Sequence, residues 1–330
     1  MIEFQNMEKK YIAEAVHLAM AEYEQECYAN VQLMKKNFRI ILEEKLTYLF
    51  QQKYGKLAVK DGKLIGYLIF EGPWDGFFGL VKGVFSPLGG SAFGGDDRGK
   101  LASMLFEKVG NMLAADGICS YAISRYVHDT EVGSSFVMNG FGIRCSDAIM
   151  RLGDHKCVKI SSDEYEFCEL PQSKKWQIDL LRRGLTRHLC TAPIFFPTDL
   201  DQYNAWFNRE EVRVFVAKRD EKVIGFLSID AEAETFVTEE PNISNICGAY
   251  VDPEYRGTGV ADMLLEYLCE VCEKDGMEYL GVDYETLNPT ALRFWRKYFT
   301  NYTYSYARRI DERVVGYSDY LNSKRDIEKN

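Results

Sequence analysis

An internal repeat does most to limit what this chain can fold into. Ile65-Gly66-Tyr67-Leu68 recurs as Ile224-Gly225-Phe226-Leu227, an offset of 159 residues (65 to 224), and Ala115-Asp116-Gly117 recurs at the same offset as Lys274-Asp275-Gly276. Between these landmarks Val260, Met263, Leu264, Tyr267, Leu268, Val271 and Cys272 are spaced as one face of a helix. That face maps onto Leu101, Met104, Leu105, Lys108, Val109, Met112 and Leu113, apolar everywhere but Lys108. One offset spanning a strand, a helix and the next turn marks a duplication. Two copies are too few for a solenoid, so the pattern predicts two domains, and 330 residues allow each its own core.

Both halves read in the same order. Helices at 8–24 and 38–53, and again at 179–190 and 199–207, precede a hairpin (57–60 with 64–70; 212–218 with 223–229). A longer strand and the helix above follow, then a short apolar strand (118–124; 279–283), another helix and a last strand (142–152; 303–310). The charged, turn-rich stretch 153–176 holds the boundary and has room for the second domain's first strand, which gives domains of 1–155 and 156–330. The polar tail 311–330 reads as a loose end or a packed strand.

Composition narrows the class. A net charge of −10 disfavours nucleic acid as a main partner, because phosphate binding needs a basic footprint, and it suits a cationic substrate. No basic-then-apolar leader and no bilayer-length apolar run are present, so no membrane partner is expected. Nine scattered cysteines argue against a disulfide scaffold and for a reducing cytoplasm. Cys269 and Cys272 form a CxxC, but Cys272 lies on the apolar helix face and no second pair completes a zinc site. His17, His128, His155 and His188 lack metal spacing, so no metal is expected and the histidines receive no role.

The sharpest motif is Val251-Asp252-Pro253-Glu254-Tyr255-Arg256-Gly257-Thr258-Gly259-Val260-Ala261. A strand, a glycine turn and a helix N-terminus form an anion site, since first-turn N–H groups lack intrahelical partners and the helix dipole adds positive potential. The spacing is neither that of a Walker loop nor that of a dinucleotide fingerprint. It resembles the coenzyme A pyrophosphate loop of the GCN5-related N-acetyltransferases (GNAT), (Q/R)xxGx(G/A). Asn288, Ala291 and Phe294 then match the next motif of that family, NxxAxxF.

The resemblance is motif-specific from about 248 to 299 and extends to the whole chain as a fold. It implies an α+β chain of two tandem acyl-CoA N-acyltransferase (GNAT-like) domains, each a mixed, mostly antiparallel sheet flanked by helices. It also implies acetyl-CoA as co-substrate. Ala249, Tyr250 and Val251 would pair with the pantetheine arm, and a bulge in their strand would offer an N–H to the carbonyl oxygen. Arg256, Gly257, Thr258, Gly259, Val260, Ala261 and Asp262 would cradle the pyrophosphate. Asn288 either meets the pantetheine arm or a water, or caps a helix before Pro289, and both can hold.

Acetyl transfer to an amine needs a base, because such an amine is protonated at neutral pH. Asp283 is the first candidate and Glu285, two residues on and on the same strand face, the second; the plain alternative is a pair of solvated strand-end acids. Trp295 stands where many relatives place the tyrosine that protonates the leaving thiolate, and an indole N–H is no useful acid. Either the thiolate leaves unprotonated, or Tyr298 or Tyr302 serves, with Tyr298 the candidate acid.

The first half has lost these residues. At the common offset Asp97 replaces Arg256, Arg98 replaces Gly257, Lys100 replaces Gly259, Ser124 replaces Asp283 and Asp129 replaces Asn288. Its glycine-rich run 88–95 ends in Asp96-Asp97, which would repel a diphosphate. It reads as a non-catalytic copy. The expected activity is direct transfer of acetyl from acetyl-CoA to an amine-bearing, cationic acceptor, in the second half. The rivals are another acyl donor, a catalytically silent acyl-CoA-binding or sensing module, and an aminoacyl-tRNA-dependent transferase, which the CoA-like loop and acidic charge oppose. The acceptor (polyamine, antibiotic, amino-acid derivative or protein amine) and the oligomeric state are left open.

Overall fold

A computed structural model describes residues 1–77, 79–154, 164–197 and 200–315, with the backbone alone over 200–203. Its contacts divide the chain into two units, Met1–Cys145 together with the chain from Tyr302 on, and Ser146–Asn301. The first unit contains β1 (Ile2–Gln5), α1 (Ile12–Ala29), α2 (Arg39–Leu49), β2 (Tyr54–Lys60), β3 (Lys63–Trp74), β4 (Gly83–Ser86), β5 (Ser91–Phe93), α3 (Arg98–Ala115), β6 (Ser120–Tyr126), α4 (Thr130–Met138) and the start of β7 (Gly142–Arg151). The second contains the end of β7, β8 (Glu166–Leu170), α5 (Asp179–Leu189), α6 (Leu200–Phe207), β9 (Arg213–Arg219), β10 (Lys222–Asp230), β11 (Ile243–Val251), α7 (Val260–Lys274), β12 (Tyr279–Glu285), α8 (Pro289–Trp295) and β13 (Thr300–Asn301). β14 (Thr303–Arg309) belongs to the first unit.

Both units carry the expected mixed, mostly antiparallel sheet flanked by helices. In the first, β1, β2, β3 and β4 pair antiparallel in that order and β4 runs parallel to β6. In the second, β8, β9, β10 and β11 are antiparallel and β11 runs parallel to β12. The offset survives in the elements: β2 shifted by 159 residues (54 to 213) coincides with β9, and β6 with β12. α3 and α7 end together, but α3 begins at Arg98, the counterpart of Gly257, so helix occupies positions that are glycine turn in the second half.

The division differs from the expected one at 155 and 156. It falls inside β7, and the last strand joins the first unit. There β14 pairs with β6 from Thr303↔Tyr126 to Arg309↔Ser120, and with β7 from Ser305↔Cys145 to Ala307↔Gly142. In the second unit the end of β7 pairs with β13, Thr300 with Ile149 and Asn301 with Ala148. Short apolar strands of two similar units carry the same alternation, so no local signal fixes which partner each one takes. β8 lies in the stretch where a first strand was expected, whereas β1, only four residues long, was not anticipated.

α7 shows how the second core is built. Val260, Met263, Leu264, Leu268 and Cys272 are buried as the spacing requires, joined by Leu265 and Cys269, while Tyr267 and Val271 are half-buried. All of these but Met263 belong to the core formed with Phe215, Ile224, Leu227, Leu280, Val282 and Trp295. Each fully buried side chain of this size contributes roughly 1.5–3 kcal/mol. Burial also pushes the Cys272 thiol up to about 11 and raises that of Cys269, so the CxxC is core packing, not an ionised pair.

Candidate functional site

The site begins where two strands part. β11 pairs with β10 from Asp230↔Asn245 to Gly225↔Val251, but with β12 only from Ile243↔Tyr279 to Ile246↔Val282. At the fork, Ser228 faces Gly248 and Ile229 faces Ile246, which leaves Cys247 as a bulge. Beyond the bulge Ala249, Tyr250 and Val251 line a cleft of about 610 Å3, shared with the loop Tyr255–Asp262, His188, Asn288 and Trp295.

The loop is shaped by its own sequence. Asp252 caps a 3₁₀ turn, Pro253–Tyr255, by accepting from the Glu254 N–H at 3.2 Å. Gly257 (φ +81°) and Gly259 (φ +87°) lie in the left-handed region that disfavours side chains. Thr258 Oγ1 donates to the Tyr255 carbonyl at 2.8 Å. Gly259 is the N-cap of α7 and offers no side-chain cap, and the first-turn residues Val260, Ala261 and Asp262 line the cleft, an arrangement able to receive an anion. Arg256 Nε donates to the Val251 carbonyl at 3.1 Å, with the guanidinium 5.0 Å from the Tyr250 ring centre. Asp262, in the first turn, accepts from the Tyr298 hydroxyl and pairs with Lys297 at 3.4 Å, which offsets a negative charge at this end of the helix.

Of the two uses open to Asn288, the helix cap is seen, and the residue also borders the cleft. It caps α8, its Oδ1 accepting from Thr290 N at 3.2 Å and Ala291 N at 3.3 Å, and it lines the cleft. The same oxygen lies 3.2 Å from His188 Nε2. An atom that accepts two backbone N–H groups is the oxygen, so the facing ring nitrogen, Nε2, carries a proton and donates to it. His188, given no role from sequence, arrives because α5 lies close on β11. A Cβ on Gly184 would stand 2.8 Å from the Tyr250 ring. That mid-helix glycine, one turn before the histidine, marks the close approach of α5 but does not itself single out His188.

The catalytic candidates sit apart from the cleft lining. Along β12, Leu280, Val282 and Tyr284 enter the core, which leaves Asp283 and Glu285 on the opposite face, as the alternation requires. Asp283 follows the last β11–β12 pair, beside Cys247, whose thiol is pushed up to about 12, chiefly by burial. The Asp283 side chain is open to solvent, yet the protein crowded around it, then the carboxylates of Glu234, Asp147 and Glu285, raise its pKa well above the ordinary range. Tyr298 is tied to Asp262, and burial first, then that carboxylate, raises its pKa. Trp295 lines the cleft and is only 4 % exposed. Tyr302 is buried in the first unit.

The matching place in the first unit is filled by the chain itself. Glu131 accepts from Gly99 N at 2.9 Å and Asp97 from Lys100 N at 3.3 Å, so first-turn N–H groups of α3 already have carboxylate partners. Arg98 reaches Asp129 at 2.7 Å and Glu22 at 3.2 Å. Arg125, 2 % exposed, binds the same two acids at 2.6 and 2.8 Å and the Ser91 carbonyl at 2.7 Å.

Residues 182–300 match the acetyltransferase (GNAT) family, a span that contains the whole cleft lining. No curated protein matches the chain. Among solved structures it is similar to a GCN5-related N-acetyltransferase from Sphaerobacter thermophilus, with 12% identity and a TM-score of 0.60 over 93% of this chain and 95% of that one. It is also similar to a GCN5-related glucosamine N-acetyltransferase region in a fungal multi-domain GH3 β-N-acetylglucosaminidase, with 12% identity and a TM-score of 0.54 over 93% of this chain and 38% of that one. At such identities the likeness is one of fold. Among the described residues no helix is long and apolar enough to cross a membrane, and no group of three potential ligands could hold a metal ion.

Proposed function

We propose that the chain is an acyl-CoA-dependent N-acyltransferase that moves acetyl from acetyl-CoA directly to an amine, with the chemistry in the second unit. One observation carries this reading. The β11 edge freed at Cys247 and the uncapped N-terminus of α7 open on the same cleft. A strand edge suits the amides of a pantetheine arm, and a glycine-turned helix N-terminus suits a diphosphate. Arg256 adds a cation at that turn.

The residues at the fork divide the work. Asp283 takes the proton from the acceptor ammonium, and its raised pKa brings it nearer the working range of a base. Glu285 shares its face and, with Glu234 and Asp147, gives the approach a negative field that favours a cationic acceptor. A backbone N–H at the Cys247 bulge supports negative charge on the thioester carbonyl. The amine nitrogen bonds to that carbon as the carbon–sulfur bond breaks, and the second amine proton passes to the departing sulfur. With Tyr298 held by Asp262 and Trp295 unable to act as an acid, no side chain protonates the departing sulfur, and that amine proton alone converts it to the free thiol. The first unit, with its anion site occupied by its own carboxylates, is a non-catalytic copy. The scattered cysteines favour a cytoplasmic setting.

A second reading, a silent acyl-CoA-binding module, draws on the same Tyr298–Asp262 bond and on Trp295. Calorimetric titration of acetyl-CoA into the chain and into Gly259→Glu is the first test. One site, lost in the variant, is the expected result, and absence of binding overturns the proposal. Release of free thiol in the presence of a panel of primary amines then separates an enzyme from a silent binder.

A further inference from the structure

A second concavity lies within the first unit, between α1 and the segment leading into α2, with a volume of about 430 Å3. That is the size of a small-molecule site. Aromatic contacts hold it in shape: the Tyr23 hydroxyl donates to the Met34 carbonyl, and the Tyr23 and Phe38 rings meet edge to face at 5.0 Å. Met20 and Cys27 form apolar wall, while Lys35, Lys36 and Arg39 line it together with His17 and one carboxylate, Glu24.

The charge is out of keeping with the molecule. In a chain of net −10, permanent cations outnumber acids in this cleft. Neither Lys35 nor Arg39 has an ion-pair partner among the described residues, and the Lys35 ammonium stands 5.8 Å over the Tyr28 ring. α2 opens beside them at Phe38 with no side-chain cap; Asn37 Oδ1 accepts the Arg39 N–H at 3.0 Å, and the next N–H groups add positive potential. Cations without partners beside an apolar wall select a ligand with an anionic head and an apolar body.

We propose that this cleft binds a small organic anion, its carboxylate or phosphate held by Lys35 and Arg39 and its body against Met20, Cys27 and Tyr28. The site is independent of the acyl-transfer reading and shares no residue with it. The test is an amide NMR titration of the full chain with phenyl phosphate, inorganic phosphate and phenol. Phenyl phosphate is expected to give saturable shifts within residues 17–39, inorganic phosphate weaker ones and phenol none. The double variant Lys35→Glu/Arg39→Glu should weaken phenyl phosphate by at least about tenfold while acetyl-CoA binding is unchanged. Should charge reversal disturb folding, Lys35→Gln/Arg39→Gln provides the same comparison. No saturable shift with phenyl phosphate, equal affinity in a folded variant, or phenol binding as tightly as phenyl phosphate would each overturn the proposal.

Discussion

At Asp283 a carboxylate is left open to solvent but crowded by protein and by Glu234, Asp147 and Glu285, which together raise its pKa. For an acid whose folded pKa exceeds its unfolded value, the stabilising contribution is complete below the unfolded pKa. It is lost as pH rises through the folded one. Ionised Asp283 is therefore a cost to the fold at neutral pH. Solvent screening keeps that cost small. Asp283→Asn is expected to raise Tm at pH 7 by about 1–3 °C, with the gain vanishing below about pH 4, where the carboxyl is protonated in both states. It should also lower amine acetylation by at least about a hundredfold. Thermal melts from pH 4 to 8 read the first effect, and a variant less stable at pH 7 would contradict the repulsion. In the proposed reaction Asp283 would thus give up some stability for its role as base.

Between elements, the controlling contact is Gly184 of α5 against Tyr250 of β11. A methyl group there would stand 2.8 Å from the ring, so Gly184→Ala must displace either the Tyr250 ring or the helix. A loss of about 1–3 kcal/mol is expected in urea denaturation, with weaker acetyl-CoA binding because Tyr250 and His188 both line the cleft. Unchanged affinity in a destabilised variant would show that α5 supports the fold without shaping the site. This contact also marks the limit of what the sequence discloses. The offset and the apolar alternation were enough to place β2 with β9, β6 with β12 and α7 behind its glycine turn, because each of these is local. The loop residues, Ala249 to Val251 and Asn288 were readable for the same reason, and the structure gathers them on one cleft. His188 was not, since nothing periodic distinguishes it. Nor was Glu131, an acid in the first turn of α4 that spends its carboxylate on Gly99 N. Both depend on which element packs on which, and that is settled by long-range geometry.

At the scale of the whole chain, two units of matching element order handle the same place in opposite ways. One keeps glycines and an uncapped helix; the other fills the position with Arg98, Arg125, Glu22 and Asp129. Removing one cation from that buried network leaves carboxylates uncompensated, so Arg125→Met is expected to cost about 3–5 kcal/mol in equilibrium unfolding. A loss under about 1 kcal/mol would mean that water or rearrangement satisfies the acids. The chain path bears on stability as well. β14 comes after the second unit in sequence, yet Thr303 and Tyr306 are buried in the first, where Tyr306 packs among Phe136, Phe141 and Val132. A chain ending at residue 301 therefore exposes the β6 edge and opens that core. Such an edge, row upon row of unpaired N–H and C=O groups, invites aggregation. The truncated chain is expected to lose the cooperative melting of the first unit, with early proteolysis inside 1–145, and a peptide spanning 302–315 supplied in trans should restore protection. If the truncated chain instead melts as the intact one does, β14 is an accessory to the first unit. The expected loss would mean that the first unit is completed only after the second has been synthesised, because the strand that closes its core follows the second unit in the chain.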